Sequence, residues 1–165
     1  MKRYGLIGVI AALVALVDQV TKQMACEVLP FGQFRPVIDG FFNLVHVRNR
    51  GAAFGFLNNH DTDWQFWFFA AATVLAVVVL LYLAKTAPAK SRLLFTAIGL
   101  VLGGAVGNFI DRCRFRYVID FLDFYIGNWH WPAFNVADIG ITCGVILLMY
   151  LILFGGKKVE QQPTG

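Results

Sequence analysis

Charge is scarce in this chain: charged side chains make up 15% of its 165 residues, and hydrophobic ones 58%. With a mean hydropathy of +0.64, that balance excludes an ordinary soluble domain and places the protein among membrane proteins. Metal ligands are equally thin. The three cysteines (Cys26, Cys113, Cys143) are odd in number and lack ligand spacing, and Cys143 sits in an apolar run as a small packing residue. His46, His60 and His130 are widely separated, so a metal centre would have to be assembled from acids alone. Residues 26–63 and 111–136 contain Thr62 but no serine, and His130 has no evident nucleophile beside it, which argues against serine–histidine or cysteine–histidine chemistry. The net charge of +4 comes without a compact basic stripe, so no nucleic-acid partner is expected. Internal repeats and low-complexity stretches are also missing.

What the chain does have is apolar length. Residues 4–24, 64–84, 93–110 and 137–154 are each long enough, at ~1.5 Å per residue, to cross a hydrocarbon core of ~30 Å. The fold class that follows is an all-α integral membrane protein forming a single membrane domain, with loops over 26–63 and 111–136 and a polar, flexible tail over 155–165. The start MKRYGLIGVIAALVALV imitates a signal peptide and Ala25-Cys26 a lipoprotein cleavage site, but Gln23, Asp18 and Lys22 interrupt both patterns, so cleavage is not expected. Lys2, Arg3, Lys85, Lys90, Arg92, Lys157 and Lys158 share one set of ends with the single acid Glu160. The opposite set holds the other seven basic residues but nine of the ten acids, so the positive-inside rule predicts that both termini are cytoplasmic.

That topology puts Asp18, Asp111 and Asp138 at one depth, on three different helices. Asp120 follows in Tyr117-Val118-Ile119-Asp120-Phe121, a stretch apolar enough to dip to the same level. Gly99, Gly103 and Gly107 recur every four residues and predict a seam for a neighbouring helix. In the first loop, Pro36 to Gly40 and Phe41 to Asn49 predict two short strands around an Asp-Gly turn, a small amphipathic sheet on the extracytoplasmic membrane surface. The small residues after it (Gly51, Ala52, Ala53) would let backbone approach a ligand or a helix.

The chemistry is expected in residues 107–138, where four of the ten acids fall. Two carboxylates brought together in a poorly solvated site cannot both ionise easily, which makes Asp120 and Asp138 a candidate acid/base pair. Asp138 also stands at a helix start, where a carboxylate caps orphan amides, and spacing alone leaves catalysis and capping equally open. Asn108, Asp111 and Arg112 share a helical face, as do Asn135 and Asp138, either to orient the pair and grip substrate carbonyls or to close the bundle with a polar cluster. Asp18 and Lys22, at i and i+4, read as a structural ion pair. Arg114, Arg116, Trp129 and Trp131 read as headgroup-level anchors, and Asp123 as solvated surface. The reading from another class is a proton-coupled carrier or binding subunit, although its acids would be expected near the midplane of repeated halves.

Five segments in order, Asp18-Gln19-Val20-Thr21-Lys22, Asn49 to Phe54, Gly107 to Arg112, Val118 to Phe121 and Phe134 to Asp138, make the chain closely resemble the bacterial lipoprotein signal peptidases (signal peptidase II, or prolipoprotein signal peptidase). The resemblance implies a four-helix inner-membrane aspartyl endopeptidase that needs no metal, and no cofactor is expected. It implies removal of signal peptides from diacylglyceryl-modified prolipoproteins by a cut before the lipidated cysteine. Catalysis would then rest on Asp120 and Asp138, with supporting or substrate-contacting roles for Asn49, Gly51, Asn108, Asp111, Arg112 and Asn135. Membrane lipids and the cyclic peptide antibiotic globomycin are the further partners it implies, with the active site near the periplasmic face.

Overall fold

A computed structural model describes residues 3–51 and 64–154. Four helices, α1 (Arg3–Val28), α2 (Trp64–Thr86), α3 (Arg92–Phe115) and α4 (Val136–Phe154), are long and apolar enough to cross a membrane. The helices overrun the lengths expected from the apolar runs, α1 by a turn and α3 by more than one; in α3 Asp111 pairs with Lys22 and Arg112 lies over Phe69, so these charges do not end the helix. The expected Ala52-Ala53 approach and the tail over 155–165 lie outside the described residues.

α3 is the central helix. It packs closely against α1 and α4 and more thinly against α2, and it is the span with most of its surface buried. The glycine seam explains the close fit to α1: a Cβ at Gly103 would sit 2.7 Å from Ala11 O, and one at Gly107 2.6 Å from Asp18 Oδ2. A second small-residue face, Gly104 with Gly140 and Gly144, lets α4 approach from the other side. Elsewhere the helices turn large apolar side chains outward, as Leu16, Leu75, Val78 and Ile152 do, which suits lipid and not water. At the end of the bundle holding the start of α1, Arg3 donates from Nη1 to the Ala84 and Lys85 carbonyls at 3.0 and 2.9 Å and so satisfies the last turn of α2.

The opposite end carries an antiparallel sheet of four strands in the order β1 (Phe34–Ile38), β2 (Phe42–Asn49), β3 (Val118–Ile126) and β4 (Trp129–His130). The first two are the strands read from sequence, joined at Gly40, which takes the left-handed conformation (φ +78°) that the tight turn needs. The other two correct the expected loop over 111–136. Val118 to Phe121 are buried on both faces, so no polar alternation marked them as a strand. α3 ends at Arg116 in the left-handed region (φ 65°), with its N–H on Arg112 O at 3.0 Å, and the chain turns straight into β3.

Candidate functional site

Strand pairing brings the second loop's chemistry to the helix ends. β2 and β3 pair with Val47 opposite Asp120 and Asn43 opposite Asp123. Because side chains alternate along a strand, Asp120 and Asp123, an odd number of residues apart, point to opposite faces of β3. Phe134 then bonds back to β3, accepting from Phe121 and Leu122 N–H and donating to Leu122 O. That bridge delivers Asn135, the residue before α4, to the side of Asp120.

Asn135 is fully buried and links the two carboxylates. Its side-chain Nδ2 donates to Asp120 Oδ1 at 2.7 Å, and its backbone N–H donates to Asp138 Oδ2 at 3.2 Å. Asp138 N–H donates back to Asn135 Oδ1 at 3.0 Å, so the two form a reciprocal cap at the start of α4. Asp138 therefore does cap the helix, and its other oxygen still faces elsewhere: Asn108 Nδ2 donates to Oδ1 at 2.8 Å. Asn49 Nδ2 donates to Asp120 Oδ2 at 2.9 Å, while Gly51 N–H holds Asn49 Oδ1 at 3.0 Å. The spacing left capping and catalysis open; in the structure Asp138 caps α4 and also lines the same cavity as Asp120.

Below this layer sits an ionic one. Lys22 Nζ, 2% exposed, is 2.8 Å from Asp18 Oδ2 and 2.9 Å from Asp111 Oδ2. The expected Asp18–Lys22 pair is thus present, and Asp18 also accepts from Ala137 N–H at 2.9 Å, supporting the start of α4. Asp111 ties α3 to the sheet by accepting from Ile119 N–H at 3.1 Å, and Gln19 Nε2 donates to it at 2.8 Å. Gln19 went unremarked in the sequence although it lies inside a recognisable motif, because an amide in a helix carries no charge pattern to betray its partner.

Asp120 and Asp138 line one cavity of about 680 Å³, with Asn49, Gly51, Asn108 and Arg112 on its polar wall. Phe69, Ala72, Thr73 and Ala76 of α2, together with Ile139 and Ile141 of α4, form its apolar wall. Arg112 lies over the Phe69 ring with its guanidinium carbon 4.1 Å from the centroid, which holds α2 against the site. Burial pushes the Asp120 carboxyl up from 3.8 to about 7; the Asp138 charge adds to the rise, and hydrogen bonds from Asn49 and Asn135 with the Lys22 charge hold it back.

Two expectations change. Asp123 is not solvated surface: it is 6% exposed, accepts from Asn43 Nδ2 at 2.9 Å and faces His130 Nδ1 at 2.9 Å, on the far side of β3 from the cavity. Trp131 and Arg116 do more than mark an interface. Trp131 lines the cavity while staying half exposed, and Arg116 stacks over Phe66 of α2 at 3.9 Å. Among the described residues no group of three or more His, Cys, Asp and Glu side chains is placed to hold a metal ion.

Four apolar spans closed at one end by a sheet and a buried carboxylate layer make a polytopic membrane enzyme fold, and solved structures share it. One described as a bacterial membrane enzyme superposes with a TM-score of 0.84 at 33% identity, covering 98% of this chain and 95% of its own. A second of the same description gives 0.79 at 35% identity, covering 91% and 94%. The sequence model of signal peptidase (SPase) II matches residues 10–154, and the chain belongs to that family. Among relatives, the lipoprotein signal peptidase of Oleidesulfovibrio alaskensis is 58% identical over 147 residues, 88% of this chain and 93% of its own. That of Nitratidesulfovibrio vulgaris is 55% identical over 145 residues (88% and 87%), and that of Francisella tularensis subsp. novicida 46% over 150 (91% and 92%).

Proposed function

We propose that Asp120 and Asp138 are the catalytic pair of this peptidase and that its substrate is a diacylglyceryl-modified prolipoprotein, cut on the amino side of the lipidated cysteine. The observation that carries the reading is that a buried carboxylate, Asp120, and a half-buried one, Asp138, linked through Asn135, open onto one largely apolar cavity. Burial makes it costly for both to ionise, so the pair keeps a shared proton up to about pH 7. The ionised member takes a proton from water as the water oxygen bonds to the scissile carbonyl carbon. The protonated member supplies its proton toward the leaving nitrogen, the C–N bond breaks, and the products are a new carboxyl and the free amine of the modified cysteine. Arg112 and Asn49 stand where they would orient the peptide carbonyls.

The apolar wall from α2 and α4 supports the substrate class. A signal helix and acyl chains need an apolar groove reachable from lipid, and the cut bond is then chosen by depth. The excess of basic residues at the ends away from the carboxylates supports placing the sheet and the site at the outer face of the inner membrane, with both termini cytoplasmic. Globomycin would bind in the same cavity and compete with substrate. The carrier reading is not favoured, since the carboxylates gather at one end of a non-repeated bundle. Purified protein given a lipid-modified precursor tests the proposal: processing by the unaltered enzyme and none by Asp120→Asn or Asp138→Asn is expected, whereas processing by either variant removes the pair from the chemistry.

A further inference from the structure

An ammonium has three N–H donors and no acceptor. Lys22 spends all three: on Asp18 Oδ2, on Asp111 Oδ2, and on Asn108 Oδ1 at 3.0 Å. The first two contacts are what any buried ion pair between helices requires. The third does something further, because it decides which way the Asn108 amide faces.

With its oxygen held by Lys22, Asn108 presents its NH2 group to Asp138 Oδ1, 2.8 Å away. Turning the amide over would set an NH2 group against an ammonium and against Asn135 Nδ2, now a donor to Asn108 Oδ1 at 3.2 Å, and would set an oxygen against a carboxylate. All three contacts would fail together in a site with little water to replace them. Asn135 is held in addition by the backbone N–H of Asp138 on its Oδ1, an anchor that Asn108 lacks, so Asn108 is the amide whose direction depends on Lys22.

We infer that Lys22 is a positioning residue for peptide cleavage: from a helix that carries neither member of the pair, it locks the Asn108 amide so that Asp138 always receives an N–H at Oδ1. This rests on Asp120 and Asp138 being the catalytic pair. It differs from a structural role in that the fold could be kept while the reaction is lost.

The test compares Asp18→Asn with the double variant Asp18→Asn/Lys22→Gln. Unaltered protein buries two carboxylates and one ammonium in this cluster and the double variant one carboxylate and no ammonium, so the net charge is kept. Gln at position 22 has an acceptor, which frees the Asn108 amide to turn. With lipid-modified precursor, kcat of the double variant is expected to fall at least about tenfold below Asp18→Asn, with KM within about threefold and little change in thermal midpoint. Lys22→Arg, again donors only, is expected to keep kcat within about threefold. An unchanged kcat in the double variant, or a loss confined to KM, overturns the inference. If the double variant does not fold, side-chain NMR of asparagine-labelled, otherwise unaltered enzyme decides. The Asn108 NH2 signals shift on Asp138→Asn if they point at that residue, and fail to shift if the amide faces the other way. All these variants except Asp138→Asn keep both carboxylates, so a failure here is separate from a failure of the pair, which is read by processing in Asp120→Asn and Asp138→Asn.

Discussion

Asn135 touches both carboxylates at once, Asp120 through its side chain at 2.7 Å and Asp138 through its backbone at 3.2 Å, and in turn accepts the Asp138 N–H at 3.0 Å. Replacing it with Ala removes the bond to Asp120 and the cap on α4 but leaves the backbone donor. Loss of the cap is worth ~1 kcal/mol, too little to unfold the bundle. Processing is expected to fall by at least about a hundredfold, since the Asp120 carboxyl keeps the Asn49 bond but loses the shorter of the two amide contacts that fix its direction. A precursor gel-shift assay beside a thermal melt in detergent checks both halves.

Asp120 titrates near neutrality, and this carries a sign. Its folded value of about 7 lies above the ordinary 3.8, so between those values the folded protein binds more protons than the unfolded chain. Stability from this group is present below about pH 4 and is lost as pH rises through about 7, a cost on the order of 4 kcal/mol at pH 8. Asp120→Asn should therefore melt higher than unaltered enzyme at pH 8, with the gap closing toward pH 4. Activity of the unaltered enzyme should fall on the alkaline side as the shared proton is lost, with that limb near pH 7.

Asp123 lies on the opposite face of β3, where it partners Asn43 and His130. Asp123→Ala leaves the buried Asn43 amide without its acceptor, at a cost of ~1–3 kcal/mol. The melting temperature should drop while kcat of the folded enzyme stays within about twofold. A loss of kcat matching that of Asp120→Asn would join Asp123 to the chemistry.

The close approach of α1 and α3 at Gly103 leaves no room for a side chain, with Ala11 O and Val14 Cβ each 2.7 Å from where a Cβ would stand. Gly103→Val should cost ~1–3 kcal/mol or more through overpacking and, by moving α1, loosen the Lys22 cluster. Reduced yield and a lower melt with membrane insertion intact is the expected result.

The legible parts of this fold were those with a periodicity. Four apolar runs, the four-residue glycine spacing and the Asp-Gly turn each map onto one physical requirement: lipid, helix contact, or a left-handed turn residue. β3 was not legible, because its first four residues are buried on both faces and so show no alternation. Asp123 was misplaced for the same reason, since without the strand its parity relative to Asp120 had no meaning. Asp18, Asp111 and Asp138 could be put at one depth by counting residues, but that Lys22 and Asn108 stand between them follows from helix rotation, which glycine packing sets and spacing along one chain does not show.

The claim on which everything else depends is that Asp120 and Asp138 together carry out the cleavage. Its most direct measurement is the processing rate of a lipid-modified precursor by purified Asp120→Asn and Asp138→Asn, each shown to be folded by its melt. Both should lose activity to the level of no enzyme, and the Asp120→Asn/Asp138→Asn double variant should be no worse than either alone, as expected of groups that act as one unit. Processing at an appreciable rate by either folded single variant would contradict the account.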